Sequence, residues 1–383
     1  MSKQKIVGKI ENKATGDSMV TIEKGNKTFQ VLKFNAQTFN PESKTSKKLQ
    51  AVTWGRNNEY SKFLKTLYNE EGNPLHRNSI DMKVRLISGN EIKLADNITT
   101  KGFKKQIKLI SKNYEIFNCY AILVGYNRAG ELSTFKNVNI ENLAFYFDEN
   151  TDEKGFWVSR DFKKHTRPEN EPEFYPEFDP AVRDKLSIYF YSDEDIDWKY
   201  PEFNMTPVYN NGKFWIRQSY VAGKYQLDNM TSGFEGSYLI NFPTGIPSQD
   251  EQDENFKDFI RAYTGEGAQK IIMTYTEPDG EQPTIVPVPS DNNDSKFLET
   301  IELADIITVD AHQIPIPMMI LRGGTLSGTE ERDALLREFQ LKYINPRQRD
   351  LEEGINEILK TVNNKIELGN YIEDENNEEI VEE

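Results

Sequence analysis

Two segments with helical patterning enclose a strand-rich segment, and this arrangement most restricts how the chain can fold. Residues 217 to 234 can form one helix, and the apolar residues of 294 to 308 recur at the 3.6-residue spacing of another. Between them lie the strand-forming runs SYLINF and KIIMTYTE, an acidic helix-like stretch from about Ser248, and a further strand TIVPVPS. The sequence therefore predicts a pair of helices that carries a small strand–helix–strand insert.

The remainder of the chain predicts an α+β fold. Helical faces begin at Glu59, continue through LHRNSIDMKVRLISG, which Gly89 is placed to stop, and return from Gly102 to Phe117. The strand CYAILVGYN follows, and NRAG at 127 to 130 is a hairpin turn. Short strands and acidic, proline-bearing loops then alternate without the regular βαβ order of a parallel sheet.

The last part of the chain is predicted to be mainly helical. Pro315 and Pro317 argue against a helix at the start of HQIPIPMMILRGGTLSG, whereas Thr329 can cap the helix after it. Asn345 and Pro346 are expected to end that helix and to start another. The final IEDENNEEIVEE has too little apolar content to pack and is predicted to be disordered.

Charge is unevenly distributed along the 383 residues, whose net charge is −15. Residues 1 to 120 contain 22 Lys and Arg against 11 Asp and Glu, so the excess of acid lies entirely in the rest. The basic third could contact a polyanion or an acidic neighbouring chain, and a solvated lysine-rich surface explains it equally well. The acidic remainder argues against tight, non-specific binding of nucleic acid, because that affinity comes from Lys and Arg at phosphates.

The sequence also gives expectations about compartment. No run approaches the roughly 18 uncharged apolar residues of a membrane span, and the N-terminus lacks the apolar region of a signal peptide. We therefore expect a protein made and used in cytosol. Cys119 is the single cysteine and has apolar neighbours, which predicts a buried structural thiol in a reducing compartment.

Motifs of catalysis are not supported. The turn after SYLINF lacks the GxxxxGK[ST] pattern of a phosphate loop, and GEGAQK lacks the third glycine of a dinucleotide fingerprint. The three histidines are far apart, and a faint calcium-loop pattern from Asp291 has Lys296 where glycine is needed. The acids Asp193, Glu194, Asp195 and Asp197 are more typical of a solvated loop than of a cation site. We expect no metal, no cofactor and no enzymatic activity.

Several stretches, in order, carry a family resemblance. They are VTWGRNNEY (52 to 60), LHRNSIDMKVRLISGN (75 to 90), WKYPEFN (198 to 204), GFEGSYLINFPTGIPSQDEQ (233 to 252), PTIVPVPSDNNDSKFLETIE (283 to 302), AHQIPIPMM (311 to 319) and LSGTEERDALLREFQLKYINPRQRDLEEGINEIL (326 to 359). This ordered set resembles the portal proteins of tailed bacteriophages, in particular a short lineage found in phages of Bacteroidetes-like hosts. It covers about residues 50 to 362.

The resemblance implies a portal-type fold with an α/β wing, a helical stem, a small strand-helix-strand clip and a short helical C-terminal crown. The implied regions are a wing (1–216), a first stem helix (217–234), a clip (235–285), a second stem helix (286–308), a tunnel loop with the wing helix (309–345), a crown (346–372) and an acidic disordered tail (373–383). Twelve copies would form a ring at one capsid vertex of the virion, assembled in the host cytoplasm.

The resemblance also implies site residues and partners. The tunnel loop beside the DNA channel would contain His312, Pro315, Pro317, Met318, Met319, Arg322, Gly323 and Gly324. The clip would dock partners through Tyr238, Ile240, Phe242, Pro243, Gly245 and Ile246. Implied partners are double-stranded DNA passing through transiently, the large terminase, a head-to-tail adaptor and the major capsid protein, with no membrane. Another ring-forming head-tail or baseplate protein is the alternative, and a nuclease is a less favoured one.

Overall fold

The structure is a computed structural model in which the chain forms two compact units. It describes residues 5–11, 18–24, 27–33, 43–46, 50–94, 100–193, 198, 206–232, 238–242, 271–275, 293–320 and 329–370. The first unit comprises Met1–Phe63, Asn139–Glu177 and Glu194–Asn204. The second comprises Leu64–Val138, Phe178–Asp193 and Met205–Glu383. Each unit is thus assembled from separate parts of the sequence.

The first unit is built on two antiparallel sheets. The three-stranded sheet has the order β1 (Lys5–Glu11), β2 (Ser18–Lys24), β3 (Lys27–Lys33). In the five-stranded sheet the order is β11-β10-β9-β5-β4, with β4 at Ser43–Ser46, β5 at Ala51–Trp54, β9 at Leu143–Asp148, β10 at Glu153–Val158 and β11 at Glu173–Pro176. A small buried cluster of Ala51, Ala144 and Phe162, with Trp157 against it, lies on the larger sheet.

The WGRNN stretch forms a tight turn after β5. Gly55, Asn57 and Asn58 all have a positive φ, near +60°, a conformation that glycine and asparagine adopt most readily. The buried Asn58 side chain accepts from the Trp54 N–H at 2.9 Å and donates to the Leu143 carbonyl at 2.9 Å. This stretch, quoted above for its family resemblance, therefore has a structural role in joining β5 to the neighbouring strand β9.

The second unit contains most of the helices. α1 (Glu59–Thr66) leads into it, and it continues with α2 (Pro74–Ile87), α3 (Thr100–Phe117), α4 (Lys213–Ser232), α5 (Asn293–Ala311), α6 (Ile316–Met319), α7 (Thr329–Phe339) and α8 (Asn345–Lys360). The helices predicted at Glu59, at LHRNSIDMKVRLISG and at Gly102 to Phe117 are confirmed. Gly89, with φ of +73°, follows the end of α2 as predicted.

Three small sheets complete the second unit. β7 (Cys119–Tyr126) pairs antiparallel with β8 (Leu132–Val138) on one side and β12 (Ser187–Ser192) on the other. β6 (Ile92–Leu94) pairs with β15 (Ile366–Leu368). β13 (Tyr238–Phe242) and β14 (Ile271–Tyr275) are parallel, in register from Tyr238 opposite Ile271. The Asn127-to-Gly130 turn between β7 and β8 closes with a backbone hydrogen bond of 2.9 Å, which confirms the predicted hairpin.

One hydrophobic core holds the second unit together. It contains the buried stripe of α3, the inward side of β7 and the apolar face of α8. In α8 that face is Leu351, Ile355, Ile358 and Leu359, all completely buried and recurring at the i, i+4, i+7, i+8 positions of a helical face, as the sequence predicts. Burying such side chains contributes roughly 1.5–3 kcal/mol each, so α8 is an integral part of this unit.

One expectation about helix boundaries holds in part and another is wrong. Residues 312–315 are not helical, as predicted, but Pro315 and Pro317 do not prevent α6 from starting at Ile316, because they stand at its N-cap and first turn, where backbone N–H groups need no helical partner. Asn345 does not end a helix either, since its φ of −61° and ψ of −42° are helical. A π-helical turn, Gln340–Ile344, joins α7 to α8 and widens the backbone just before Pro346.

The apolar face predicted for residues 294 to 308 is also corrected. In α5, Ala304 is buried, but Leu298 is 58% exposed and the completely buried positions continue to Thr308 and Val309. The boundaries of the wing, stem, clip, tunnel-loop and crown regions stay predictions. Residues 346 to 370 pack in the same core as α2 and α3. The helix from Ser248, the strand TIVPVPS and the tail at 373 to 383 lie outside the described residues.

Replacing Gly354 by alanine is expected to destabilise the second unit by about 1–3 kcal/mol. Gly354 lies in α8 against the hydroxyl groups of Tyr120 and Tyr189, and a Cβ there would overlap the Tyr120 oxygen. Gly102→Ala is the matched control, because no atom lies near that position in α3 and alanine favours a helix. Urea denaturation of both variants measures the effect, and equal stabilities would contradict the packing described for α8.

Candidate functional site

The two helices that flank the strand-rich segment pack on each other and are fastened to the start of α2. α4 and α5 are in direct contact, and Gly212, just before α4, lies so close to Ala311 that no larger residue fits. The Asn73 side chain donates to the Asp305 carboxylate at 2.5 Å, and its backbone N–H donates to the Ile216 carbonyl at 3.1 Å. The α4–α5 pair is therefore held at one end by directional polar contacts.

Large apolar side chains project from this helix pair. Phe214 and Val221 on α4 are 67% and 52% exposed and lie seven residues apart, which places them on one helical stripe. Leu227 of α4, Leu298 and Leu303 of α5 are also exposed. At 100° per residue, Leu227 lies roughly 220° around α4 from Phe214, hence on a different face. We call these five residues the exposed apolar set. Phe214 and Val221 share one stripe of α4, which makes that stripe a candidate for contact with another protein.

Behind the helix pair lies a group of charges that is closed to solvent. Lys83 of α2 and Glu115 of α3 form a salt bridge of 2.7 Å, and both side chains are completely buried. Tyr343 donates to Glu115 at 3.0 Å and accepts from Lys83 at 2.8 Å, while the Arg347 guanidinium lies 3.8 Å from Glu115. We call Lys83, Glu115, Tyr343 and Arg347 the buried ionic cluster. It joins α2, α3 and the start of α8.

The electrostatic balance of this cluster depends on Glu115. Burial alone would raise the pKa of Glu115, but the charges of Lys83 and Arg347 outweigh burial, so the net pKa is lowered. Arg347 has further partners, since it donates to the Asn118 side chain at 2.7 Å and pairs with Asp193 at 3.4 Å. The carboxylate of Glu115 therefore stays ionised and balances the two cations on either side.

A pair of histidines adjoins the cluster. Nδ1 of His76 and Nε2 of His312 are 2.9 Å apart, and both rings contact Tyr209 with centroid distances of 4.6 and 5.0 Å. Burial, with the nearby charge of Lys83, lowers the pKa of His76 to about 3 and that of His312 well below its usual value. Both imidazoles are therefore neutral at pH 7, and they bring the end of α5 against α2.

These groups do not form a reactive site. Lys83, Glu115 and His312 have no exposed surface, so no substrate reaches them. Cys119 is buried, and burial with the charge of Asp193 raises the pKa of its thiol well above the usual value. Within the described residues, no group of three or more His, Cys, Asp or Glu could hold a metal ion. Among the described helices, none is long and apolar enough to cross a bilayer.

The structure describes five of the predicted tunnel-loop residues and places them in two environments. His312 is buried in the core, so its side chain is not available within this chain to face a channel. Pro315 is half-buried, and Pro317, Met318 and Met319 follow it in the single turn of α6. The remaining members, Arg322, Gly323 and Gly324, lie outside the described residues. The tunnel-loop assignment stays a prediction.

The predicted clip residues are only partly described. Tyr238, Ile240 and Phe242 alternate along β13, whose backbone pairs with β14. Pro243, Gly245 and Ile246 lie outside the described residues. Their role in docking also stays a prediction. The buried ionic cluster and the exposed apolar set were not identified from the sequence, although Lys83 and Glu115 each interrupt the apolar face of a helix.

The fold is similar to that of chains in gene transfer agent particles. A chain in the virion of the native gene transfer agent particle matches with a TM-score of 0.55 and 10% identity, over 85% of this chain and 87% of that chain. A chain in the neck of the native particle, computed with C12 symmetry, gives 0.53 and 10%, over 81% and 83%. An HK97 family phage portal protein from Corynebacterium diphtheriae gives 0.42 and 8%, over 77% and 93%.

These similarities confirm the mixed α+β fold and show that it is shared with chains of gene transfer agent virions and necks. No protein-family model matches the sequence, and no curated protein matches it. TM-scores of 0.55 and 0.53 at 10% identity show a similar fold alone, so function has to be argued from the chain's own surfaces. The proposed lineage among Bacteroidetes phages stays a prediction.

Proposed function

We propose that the chain is a portal-type structural protein, which assembles into a closed ring at one vertex of a phage or phage-like capsid and conducts double-stranded DNA. The observation that carries this proposal is the shared fold over 85% of the chain with a protein of a gene transfer agent virion. Structures of the neck of such particles were computed with C6 and C12 symmetry, which supports a ring of identical subunits. The absence of a catalytic motif from the sequence is compatible with a structural role.

The exposed apolar set supports ring assembly. In a closed ring each subunit meets its two neighbours through two different faces, a heterologous arrangement. Phe214 and Val221 mark one face of α4, while Leu227 lies on another, so this helix offers apolar surface in more than one direction. A monomer would leave these side chains in water. Contacts between α4–α5 pairs of adjacent subunits would bury them.

The tunnel segment and the clip are assigned within the same proposal. His312 is buried in the core, and residues 316 to 319 follow it closely in sequence. This buried anchor would hold the following loop at a defined height in a ring. The β13–β14 pair, between α4 and α5 in sequence, would form the part to which a terminase or an adaptor docks. The overall net charge of −15 suits a conduit, since an acidic wall does not hold DNA phosphates.

Annular particles are the expected state of the purified protein, and charge on the α4 stripe should abolish them. Phe214→Glu/Val221→Glu places two charges where each ring contact would bury apolar side chains worth roughly 1.5–3 kcal/mol each. The concentration needed for assembly should rise by more than about 100-fold. Negative-stain electron microscopy and mass photometry measure ring formation directly.

Val182→Glu is the control for this experiment, because Val182 is also exposed but lies in a loop away from the helix pair in sequence. Rings of the control and loss of rings in the double variant support the proposal. A wild-type protein that stays monomeric at micromolar concentration over a range of salt would contradict the proposed function. Rings without a central channel wide enough for duplex DNA would favour the alternative of another head-tail structural protein.

A further inference from the structure

A cleft between α2 and α3 concentrates positive charge. It has a volume of about 750 Å³, and its charged lining is Arg77, Asp81, Arg85, Lys105, Lys108 and Lys112. Tyr68 and Met319 are among its less polar walls. We call it the basic cleft. Five cations and one carboxylate in one depression are unusual in a chain that has 62 acidic and 47 basic residues.

The cations of the basic cleft are poorly balanced. Its one carboxylate, Asp81, already accepts from the Tyr68 hydroxyl at 2.6 Å and pairs with Arg77 at 3.7 Å. In the described part of the chain, no carboxylate forms a salt bridge with Lys105 or Lys108. Burial and the like charges of Lys65, Arg77 and Lys108 together lower the pKa of Lys112, against the opposing charge of Asp81. An anionic partner would relieve this repulsion.

The C-terminal end of α2, one of the two helices that line the basic cleft, lies beside the end of the described chain. Gly369 donates to the Glu91 carbonyl at 2.8 Å and accepts from the Asn90 N–H at 3.2 Å, just beyond the end of α2. Lys104, next to Lys105 on α3, donates to the Asn90 carbonyl at 3.5 Å. The last described residues, Gly369 and Asn370, therefore lie close to the end of α2 that carries Arg85.

The segment that follows has the matching chemistry. Residues 371 to 383, YIEDENNEEIVEE, contain seven Asp and Glu and no Lys or Arg. Thirteen residues reach about 43 Å when extended, whereas the cleft runs only about 12 Å along α2 from Arg85 back to Arg77. We propose that the acidic C-terminal segment, 371 to 383, docks in the basic cleft of its own chain. It would cover cations that otherwise attract DNA phosphates, and the proposal holds whether or not rings form.

Hydrogen exchange of the full-length chain tests this docking. In low salt, the amides of 371 to 383 should exchange about tenfold more slowly in the wild type than in Lys105→Glu/Lys108→Glu, because several exposed ion pairs are lost together. The difference should disappear near 1 M salt, where such pairs are screened. A control, Lys136→Glu/Lys185→Glu, makes the same charge change at exposed positions elsewhere in the second unit and should keep the protection. Wild-type exchange as fast as in Lys105→Glu/Lys108→Glu would overturn the proposal.

Duplex DNA is the competing occupant, and a second measurement distinguishes it. A full-length variant with the seven acids of 371 to 383 changed to Gln or Asn should bind a short fluorescent duplex about tenfold more tightly than the wild type, since its cleft is uncovered. Lys105→Glu/Lys108→Glu in that background should remove the gain. Equal DNA binding by wild type and the neutralised variant, lost in both on Lys105→Glu/Lys108→Glu, would make the cleft a phosphate site and overturn docking of the tail.

Discussion

Glu115→Gln is expected to lower the free energy of unfolding by about 3–5 kcal/mol, the range for removing one partner of a buried ion pair. Glutamine keeps the size of the side chain, so the loss comes from charge and not from a cavity. Lys83 and Arg347 would be left in a closed interior without their shared carboxylate. Lys83 can lose its proton, but a guanidinium does not, and therefore Arg347 stays charged.

Two further variants show whether the cluster acts as described. Glu338→Gln removes the partner of Lys342 in an exposed pair one helical turn apart and should change stability by less than about 1 kcal/mol. Lys83→Met/Glu115→Gln removes one uncompensated cation and should be more stable than Glu115→Gln alone. Urea denaturation at pH 7 measures all three. Similar losses for Glu115→Gln and Glu338→Gln would contradict the closed, ionised cluster.

Local patterns predicted the regular elements well. α2 and α3 were found because their apolar residues recur at helical spacing and Gly89 follows with a positive φ. The Asn127-to-Gly130 turn was found because asparagine and glycine suit a hairpin. In each case the information lies within a few residues of the element. The similarity to virion and neck chains then confirmed the α+β fold that these elements predicted.

The errors arose where distant packing decides the backbone. Pro346 follows good capping signals, yet α7 continues into α8 through a π-helical turn. The buried faces on both sides of that turn, including Phe339 and Ile355, belong to one core, and burying them outweighs the local stop signal. For α5, the helix was predicted correctly, but its buried positions include Thr308 and Val309, whereas Leu298 is exposed.

The buried ionic cluster could not be predicted from sequence patterns. Lys83, Glu115 and Arg347 come from three helices, and the last is more than two hundred residues from the others. A lysine or glutamate on an apolar helical face signals a buried pair only when its partner is known. The exposed apolar set was not identified from the sequence, because exposure depends on which neighbouring element covers each face of a helix. Leu298, which spacing placed on the apolar face of 294 to 308, is exposed instead. The tunnel-loop and clip residues still rest on the family resemblance.

Acid should destabilise the second unit strongly between about pH 6.5 and 4.5, through the histidine pair. His76 has a pKa of about 3 in the folded chain against 6.5 when unfolded, and burial also holds the pKa of His312 well below 6.5. The unfolded chain therefore binds protons first as pH falls, and stability that is complete above pH 6.5 is lost progressively toward pH 3. At pH 4.5 His76 should account for about 2–3 kcal/mol, and His312 should add to the loss in the same direction.

This window separates the histidines from the buried carboxylate. The pKa of Glu115 is lowered from 4.5, so its stabilising contribution is lost only below about pH 4.5, as the carboxylate begins to take up protons. Urea denaturation from pH 7 to 4.5 should thus show a steep fall for the wild type and a much shallower one for His76→Gln/His312→Gln, whatever the variant's stability at pH 7. The control is His165→Gln, which replaces the remaining histidine of the chain and lies in the first unit. This control should keep the steep fall in stability. An unchanged slope in the double variant would mean that these two imidazoles become protonated in the folded chain, and hence that α5 is not held against α2 by a neutral, buried contact.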